Sequence, residues 1–203
     1  MKRIFASACA LGAVAADSIG NDTPPDANKS FKELCDENGF DFEEHTVTTA
    51  DGYILSLYRI KGCLNCLKSD SKPPLLMVHG IGDAAYAWVM NYADVTPAFV
   101  AAKAGYDVWL GNSRGNTFSR EHTHLNPKSK EYWDFDWQEM GTGDLPTWID
   151  YILEETSHEK LAYIGHSQGT SQMFYGASEQ PEYFKDKVSL FVALGPVTKI
   201  PNE

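Results

Sequence analysis

The sequence predicts an α/β protein, a mostly parallel sheet with helices on both faces. Three observations carry that expectation. An Asp-Gly signal in Ala50-Asp-Gly52 joins two alternating strand patterns, Glu44 to Thr49 and Tyr53 to Ile60, into an opening hairpin. Four short apolar runs then follow, Pro74 to Val78, Asp107 to Leu110, Leu161 to Ile164 and Lys187 to Leu194, with helical patterns between them. No internal repeat breaks the chain, and its 203 residues suit one domain.

From the start of the chain, Met1 to Ala16 places Lys2 and Arg3 ahead of an apolar run with small residues at Ala13, Ala15 and Ala16. That is the pattern of a secretory signal, cleaved after Ala15 or Ala16. The run is too short to span a bilayer, and no later run qualifies as a membrane helix. Losing the signal removes two positive charges from a chain whose formal net charge is already −11. So acidic a protein repels phosphate, which argues against nucleic acid and anionic membrane surfaces as partners. Residues 17–29 are polar, carry Pro24-Pro25 and read as a linker. They hold two glycosylation sequons, at Asn21 and Asn28, and Pro24 just after the first favours the second.

Phe31 to Gly39 reads as a helix ahead of the hairpin. Three cysteines remain after the signal, Cys35, Cys63 and Cys66, an odd number for a secreted chain. Cys63-Leu-Asn-Cys66 has no second ligand pair at useful spacing, so no metal is expected but a structural disulfide, with its pairing open and a partner beyond this chain allowed. Asn91 to Ala104 reads as a helix. Gly111 to Trp137 is an unusually long irregular connection, of the kind that is usually functional. Its Tyr132, Trp133, Phe135 and Trp137 allow two readings, a wall for an acyl chain or packing of the loop itself. Its polar residues Asn112, Arg114 and Asn116 have no assigned role, and His122-Thr-His124 is too sparse for a metal. Asp144 to Glu155 is the next helix, with Pro146 in the first turn where its missing N–H costs little.

The chemistry centres on Gly165-His-Ser-Gln-Gly169, between the strand Leu161 to Ile164 and a helix from Gln168 to Gln180 closed by Pro181. A serine at a tight strand-to-helix turn is pushed clear of the sheet, and the residues two before and two after must be small because strand and helix nearly touch. Gly165 and Gly169 meet that demand, and Ser167 is the candidate nucleophile, close to unpaired helix N–H groups. Upstream, Pro74-Leu-Leu-Met-Val-His-Gly-Ile-Gly-Asp83 is a buried strand breaking into a glycine loop. In an α/β-hydrolase the corresponding loop supplies one backbone N–H of an oxyanion hole and the residue after the nucleophile the other. Ile81 and Gln168 fill those places.

Gly105-Tyr-Asp-Val-Trp-Leu-Gly-Asn-Ser-Arg-Gly-Asn-Thr117 resembles the signature stretch of the acid lipase family, which includes gastric and lysosomal lipases that cleave triacylglycerols and cholesteryl esters. Glu131 to Met140, Asp144-Leu-Pro and Ile149-Asp-Tyr-Ile152 are similar to the next block, and the likeness runs from about residue 30 to Val197. The resemblance implies an α/β-hydrolase domain over residues 30–203, a serine attack on lipid esters at a lipid–water interface, no cofactor, and a secreted or lysosomal location. In that family a cap and two further strands follow, bearing the catalytic acid and then the histidine, and no histidine follows Ser167 here. The expectation is therefore the N-terminal, nucleophile-bearing portion of such an enzyme, inactive by itself. Two alternatives stand beside hydrolysis: a non-catalytic lipid-binding remnant of the same fold, and acyl transfer to an alcohol.

Overall fold

The computed structural model describes residues 26–63 and 72–199. The expected signal (1–16), most of the linker, Asn21 and Cys66 lie outside them, so any disulfide involving Cys66 does too.

The strands are β1 (Phe40–Thr48), β2 (Tyr53–Cys63), β3 (Leu75–Val78), β4 (Val108–Gly111), β5 (Glu121–His122), β6 (Leu161–His166) and β7 (Val188–Leu194). They form one sheet in the order β1-β2-β4-β3-β6-β7, with β5 beside β2. The hairpin β1–β2 is antiparallel and joins β4 antiparallel, whereas β4, β3, β6 and β7 run parallel. Register places Val78 opposite both Gly111 and Gly165, so β3, β4 and β6 end together. Their following loops therefore emerge on one edge, where open α/β sheets build their sites.

Side-chain alternation along β3 explains how both faces are covered. Leu75 and Met77 pack with Phe31, Phe99 and Ala102, from the helices α1 (Phe31–Glu37) and α2 (Pro97–Lys103). Leu76 and Val78 pack with Trp148, Ile152 and Met173, from α4 (Leu145–Thr156) and α5 (Gln168–Glu179) on the other face. All four β3 side chains are buried, which is why the strand reads as an unbroken apolar run.

Four sequence expectations need correction. The helix expected over Asn91 to Ala104 is confined to Pro97–Lys103. Proline disfavours helical backbone in the residue before it, and Thr96 is accordingly extended (φ −71°, ψ 122°). Pro181 closes α5 and also opens a further helix, α6 (Pro181–Lys187), with Gln180 as the break between them. The long irregular connection, expected to hold no strand, contributes β5, a seventh beside the hairpin pair and the four apolar runs. The helix expected from Asp144 begins at Leu145, preceded by a short α3 (Trp137–Glu139) and a π-helical turn over Met140–Asp144.

Two outlying features are local. Ser30 caps α1 in a capping box with Glu33, and Asn28 sits exposed in the turn just before it. Cys35, one of the three cysteines whose pairing the sequence leaves open, is a free, fully buried thiol. Burial pushes its pKa up to about 12, which makes it an inert apolar filler.

Candidate active site

Ser167 stands between β6 and α5 with φ 50° and ψ −114°, a backbone conformation that costs a non-glycine residue on the order of 1–3 kcal/mol. The surroundings enforce it. A Cβ on Gly165 would lie 2.7 Å from the backbone of Gly169, and one on Gly169 would lie 2.5 Å from the Val78 oxygen. The Ser167 N–H donates to the Leu194 carbonyl at 2.9 Å, and the Ser167 carbonyl accepts from the Thr170 N–H at 2.9 Å and its hydroxyl at 2.6 Å. Thr170 Oγ1 in turn accepts from the Val197 N–H at 2.9 Å. Among the described residues no side chain hydrogen-bonds Ser167 Oγ.

The loop after β3 lies against this turn: a Cβ on Gly80 would be 3.1 Å from Ser167 Cβ and 3.2 Å from His166 Nδ1. Gly82, at φ 70°, takes the left-handed conformation that turns the loop back. Ile81 is 77% exposed, so its side chain carries no packing duty. Neither the Ile81 N–H nor the Gln168 N–H has an acceptor among the described residues. Both expected donors are thus unspent, one on the loop and one at the first turn of a twelve-residue helix.

Beside them opens a cleft of about 650 Å³, lined by Ile81, Gln168, Trp133, Phe135, Trp137 and Met140 among others. The two readings of the aromatic stretch therefore divide between its members. Tyr132 is fully buried and packs in the core, where its carbonyl accepts from Tyr53 Oη at 2.5 Å. Trp133, Phe135 and Trp137 face the cleft.

Arg114, without a role in the sequence reading, is the keystone of the wall. Its side chain is buried, its Nε donates to Asp144 at 2.7 Å and its Nη1 to Asp51 at 2.6 Å, and its guanidinium lies 4.1 Å from the centre of the Tyr53 ring. The Arg114 N–H also donates to Asp144 at 3.0 Å. Burial drives the Asp144 pKa up to about 6 against the pull of Arg114, whose own pKa is raised by its two carboxylate partners against burial. Reading Asp144 only as a helix start missed this, because nothing local distinguishes it from an exposed cap. Asn112 and Asn116 staple the same loop: Asn112 Oδ1 accepts from the Ala85 N–H at 3.0 Å and Asn116 Nδ2 at 3.1 Å. His122 commits both ring nitrogens to backbone, to the Asp51 carbonyl and to the His124 and Leu125 N–H groups.

The model described as "alpha/beta hydrolase fold" matches residues 73–202, and the one described as "Partial alpha/beta-hydrolase lipase region" matches residues 31–92. The chain belongs to the α/β-hydrolase family. Within it, this α/β-hydrolase falls with the acid lipases. It is 44% identical over 207 residues to lipase member K of Homo sapiens, covering 98% of this chain and 51% of that protein. It is 41% identical over 193 residues to gastric triacylglycerol lipase of Bos taurus, covering 95% and 47%. Against the lysosomal acid lipase/cholesteryl ester hydrolase of Homo sapiens it is 43% identical over 177 residues, covering 87% and 44%. The chain spans about half the length of these curated relatives. Among solved structures, an epoxide hydrolase from Vigna radiata matches with TM-score 0.55 at 18% identity, over 86% of this chain and 44% of that one. A putative aryl esterase from Burkholderia cenocepacia matches at 0.54 and 17%, over 78% and 49%. These two likenesses concern the fold.

Proposed function

We propose that this α/β-hydrolase is the nucleophile-bearing part, residues 30–203, of a secretory-pathway lipase that hydrolyses lipid esters such as triacylglycerols or steryl esters. Ser167 attacks the ester carbonyl, and the Ile81 and Gln168 N–H groups receive the charge that develops on its oxygen. The observation that carries the reading is the strained backbone of Ser167 set beside two uncommitted backbone donors. The relatives' names supply the substrate class: one acts on triacylglycerol, and another on cholesteryl esters. The cleft past Trp133, Phe135 and Trp137 takes the apolar chain of the ester at a lipid–water interface.

The histidine and carboxylate that activate Ser167 come from outside the described residues, since none of these engages its hydroxyl. The 203-residue chain by itself is accordingly expected to be inert. No helix among the described residues is long and apolar enough to cross a membrane. Glycans at Asn28, and at Asn21, fit the secreted or lysosomal route.

The test is hydrolysis of a triacylglycerol emulsion and of a cholesteryl ester by a preparation of the protein that turns over either. Ser167→Ala should lower kcat on the order of 10⁶-fold, leaving what binding and the oxyanion hole supply. Retention of most activity removes Ser167 from the mechanism. A non-catalytic lipid-binding role is the second reading, favoured by the unpartnered hydroxyl. It predicts emulsion binding that survives Ser167→Ala, with no turnover in any preparation.

A further inference from the structure

The peptide joining Gly80 to Ile81 is trans, so its carbonyl and its N–H point in opposite directions. That carbonyl is gripped from two sides: His79 Nδ1 lies 2.7 Å from it, and the Asp83 N–H reaches it at 3.3 Å. Holding the carbonyl turns the Ile81 N–H away from His79 and leaves it without an internal acceptor.

His79 is buried, and its other ring nitrogen is equally committed. The Ser113 N–H donates to Nε2 at 3.2 Å, and Asn116 Nδ2 lies 3.3 Å from it. A backbone N–H can only donate, so Nε2 must accept, and the ring proton must sit on Nδ1, aimed at Gly80. Only one tautomer satisfies every partner, and a charged ring satisfies none of those at Nε2. Desolvation works in the same direction, lowering the His79 pKa, with Asp83 the charged neighbour that opposes it. The partners are themselves fixed. Asn116 is bonded to Asn112, and Ser113 precedes Arg114, which is pinned to Asp144.

We propose that His79 is the positioning residue of the oxyanion loop: its neutral Nδ1–H ring, held by Ser113 and Asn116, locks the Gly80–Ile81 peptide with the Ile81 N–H presented to the reacting oxygen. The catalytic half of the statement rests on Ile81 being an oxyanion donor; the mechanical half does not.

The test uses the 203-residue chain grown with ¹⁵N-labelled histidine, the His79 ring signals being identified by their loss in His79→Asn. The expected result is a protonated Nδ1, a bare Nε2, and no titration near pH 6.5 where a free imidazole charges. Amide exchange over residues 80–84, read by mass spectrometry, should be about tenfold faster in His79→Ala, which loses both bonds. It should stay within about threefold in His79→Asn, whose amide can still donate to Gly80. A ring protonated at Nε2, an ordinary titration, or wild-type exchange in His79→Ala overturns the proposal. If His79→Ala does not fold, the wild-type tautomer and the His79→Asn exchange decide. In a preparation that turns over esters, His79→Ala should lower kcat on the order of 10²-fold with KM within about twofold. Unchanged kcat beside the expected tautomer and exchange removes Ile81 from the oxyanion hole and leaves the loop lock in place.

Discussion

The turn that carries Ser167 and the loop that carries Ile81 meet within van der Waals distance, yet they are built by different means. The turn is enforced by backbone crowding: glycines at 165 and 169 stand where any Cβ would strike main-chain atoms at 2.7 and 2.5 Å. The loop is enforced by hydrogen bonds from residues distant in sequence: the His79 ring at the end of β3 is held by the Ser113 N–H and the Asn116 side chain from the connection after β4, beside Arg114, which is bonded to Asp144. A steric device tolerates no substitution but needs few partners. A hydrogen-bonded one tolerates partial replacement and depends on charge state.

The largest effect on stability should come from the loop's support. Arg114→Leu leaves the Asp144 carboxylate buried without its partner, and the expected loss of stability is about 4 kcal/mol, measured by denaturant unfolding. A loss under about 1 kcal/mol would mean that Asp144 is protonated in the native state and needs no counter-charge. Next comes the proposed oxyanion donor. Ile81→Pro deletes the N–H and should cost about 3 kcal/mol of transition-state stabilisation in kcat, whereas Ile81→Leu should be mild. Equal effects would assign the role to the side chain instead.

On the steric side, Gly169→Ala should destabilise by about 2 kcal/mol, because the atom it meets is the Val78 carbonyl, which cannot rotate aside. Ser167→Gly should run the other way and raise stability by about 1 kcal/mol, since glycine occupies φ 50° without strain. A melting temperature that falls in Ser167→Gly would show that the turn stores no strain.

The smallest effect is a pH slope. With its pKa lowered from 6.5, folded His79 binds fewer protons than the unfolded chain just below that pH. Its contribution is therefore complete above about pH 6.5 and declines as pH falls toward the depressed value. The gap in melting temperature between wild type and His79→Asn should narrow from pH 7 to pH 5. A gap that widens would mean that the ring is charged in the folded state.

The same contrast explains what could be read from the sequence. The turn was legible because its requirements are local: Gly165, Ser167 and Gly169 fall within one strand-to-helix junction. Ile81 and Gln168 could be placed from their position relative to strand ends. The commitments of His79 could not, because its partners stand more than thirty residues away and arrive beside it only through the pairing of Val78 with Gly111. The Arg114–Asp144 pair was hidden for the same reason, its members lying in a loop and in a π-helical turn that no periodicity announces. The expected helix over residues 91–104 overran its start because Pro97 belongs at the first turn of a helix, not in its interior.

The bond from the Ser167 N–H to Leu194, and those tying Thr170 and Ser171 to Val197, set a minimum size for the device. Five residues spell the motif, but the conformation of its serine is underwritten by β7, a strand that follows it in sequence and pairs beside β6. A graft of Gly165–Gly169 onto another strand–helix junction would transplant the spelling alone. To carry the geometry, the excised piece has to run from β3, which limits Gly169, through Val197, which anchors Thr170.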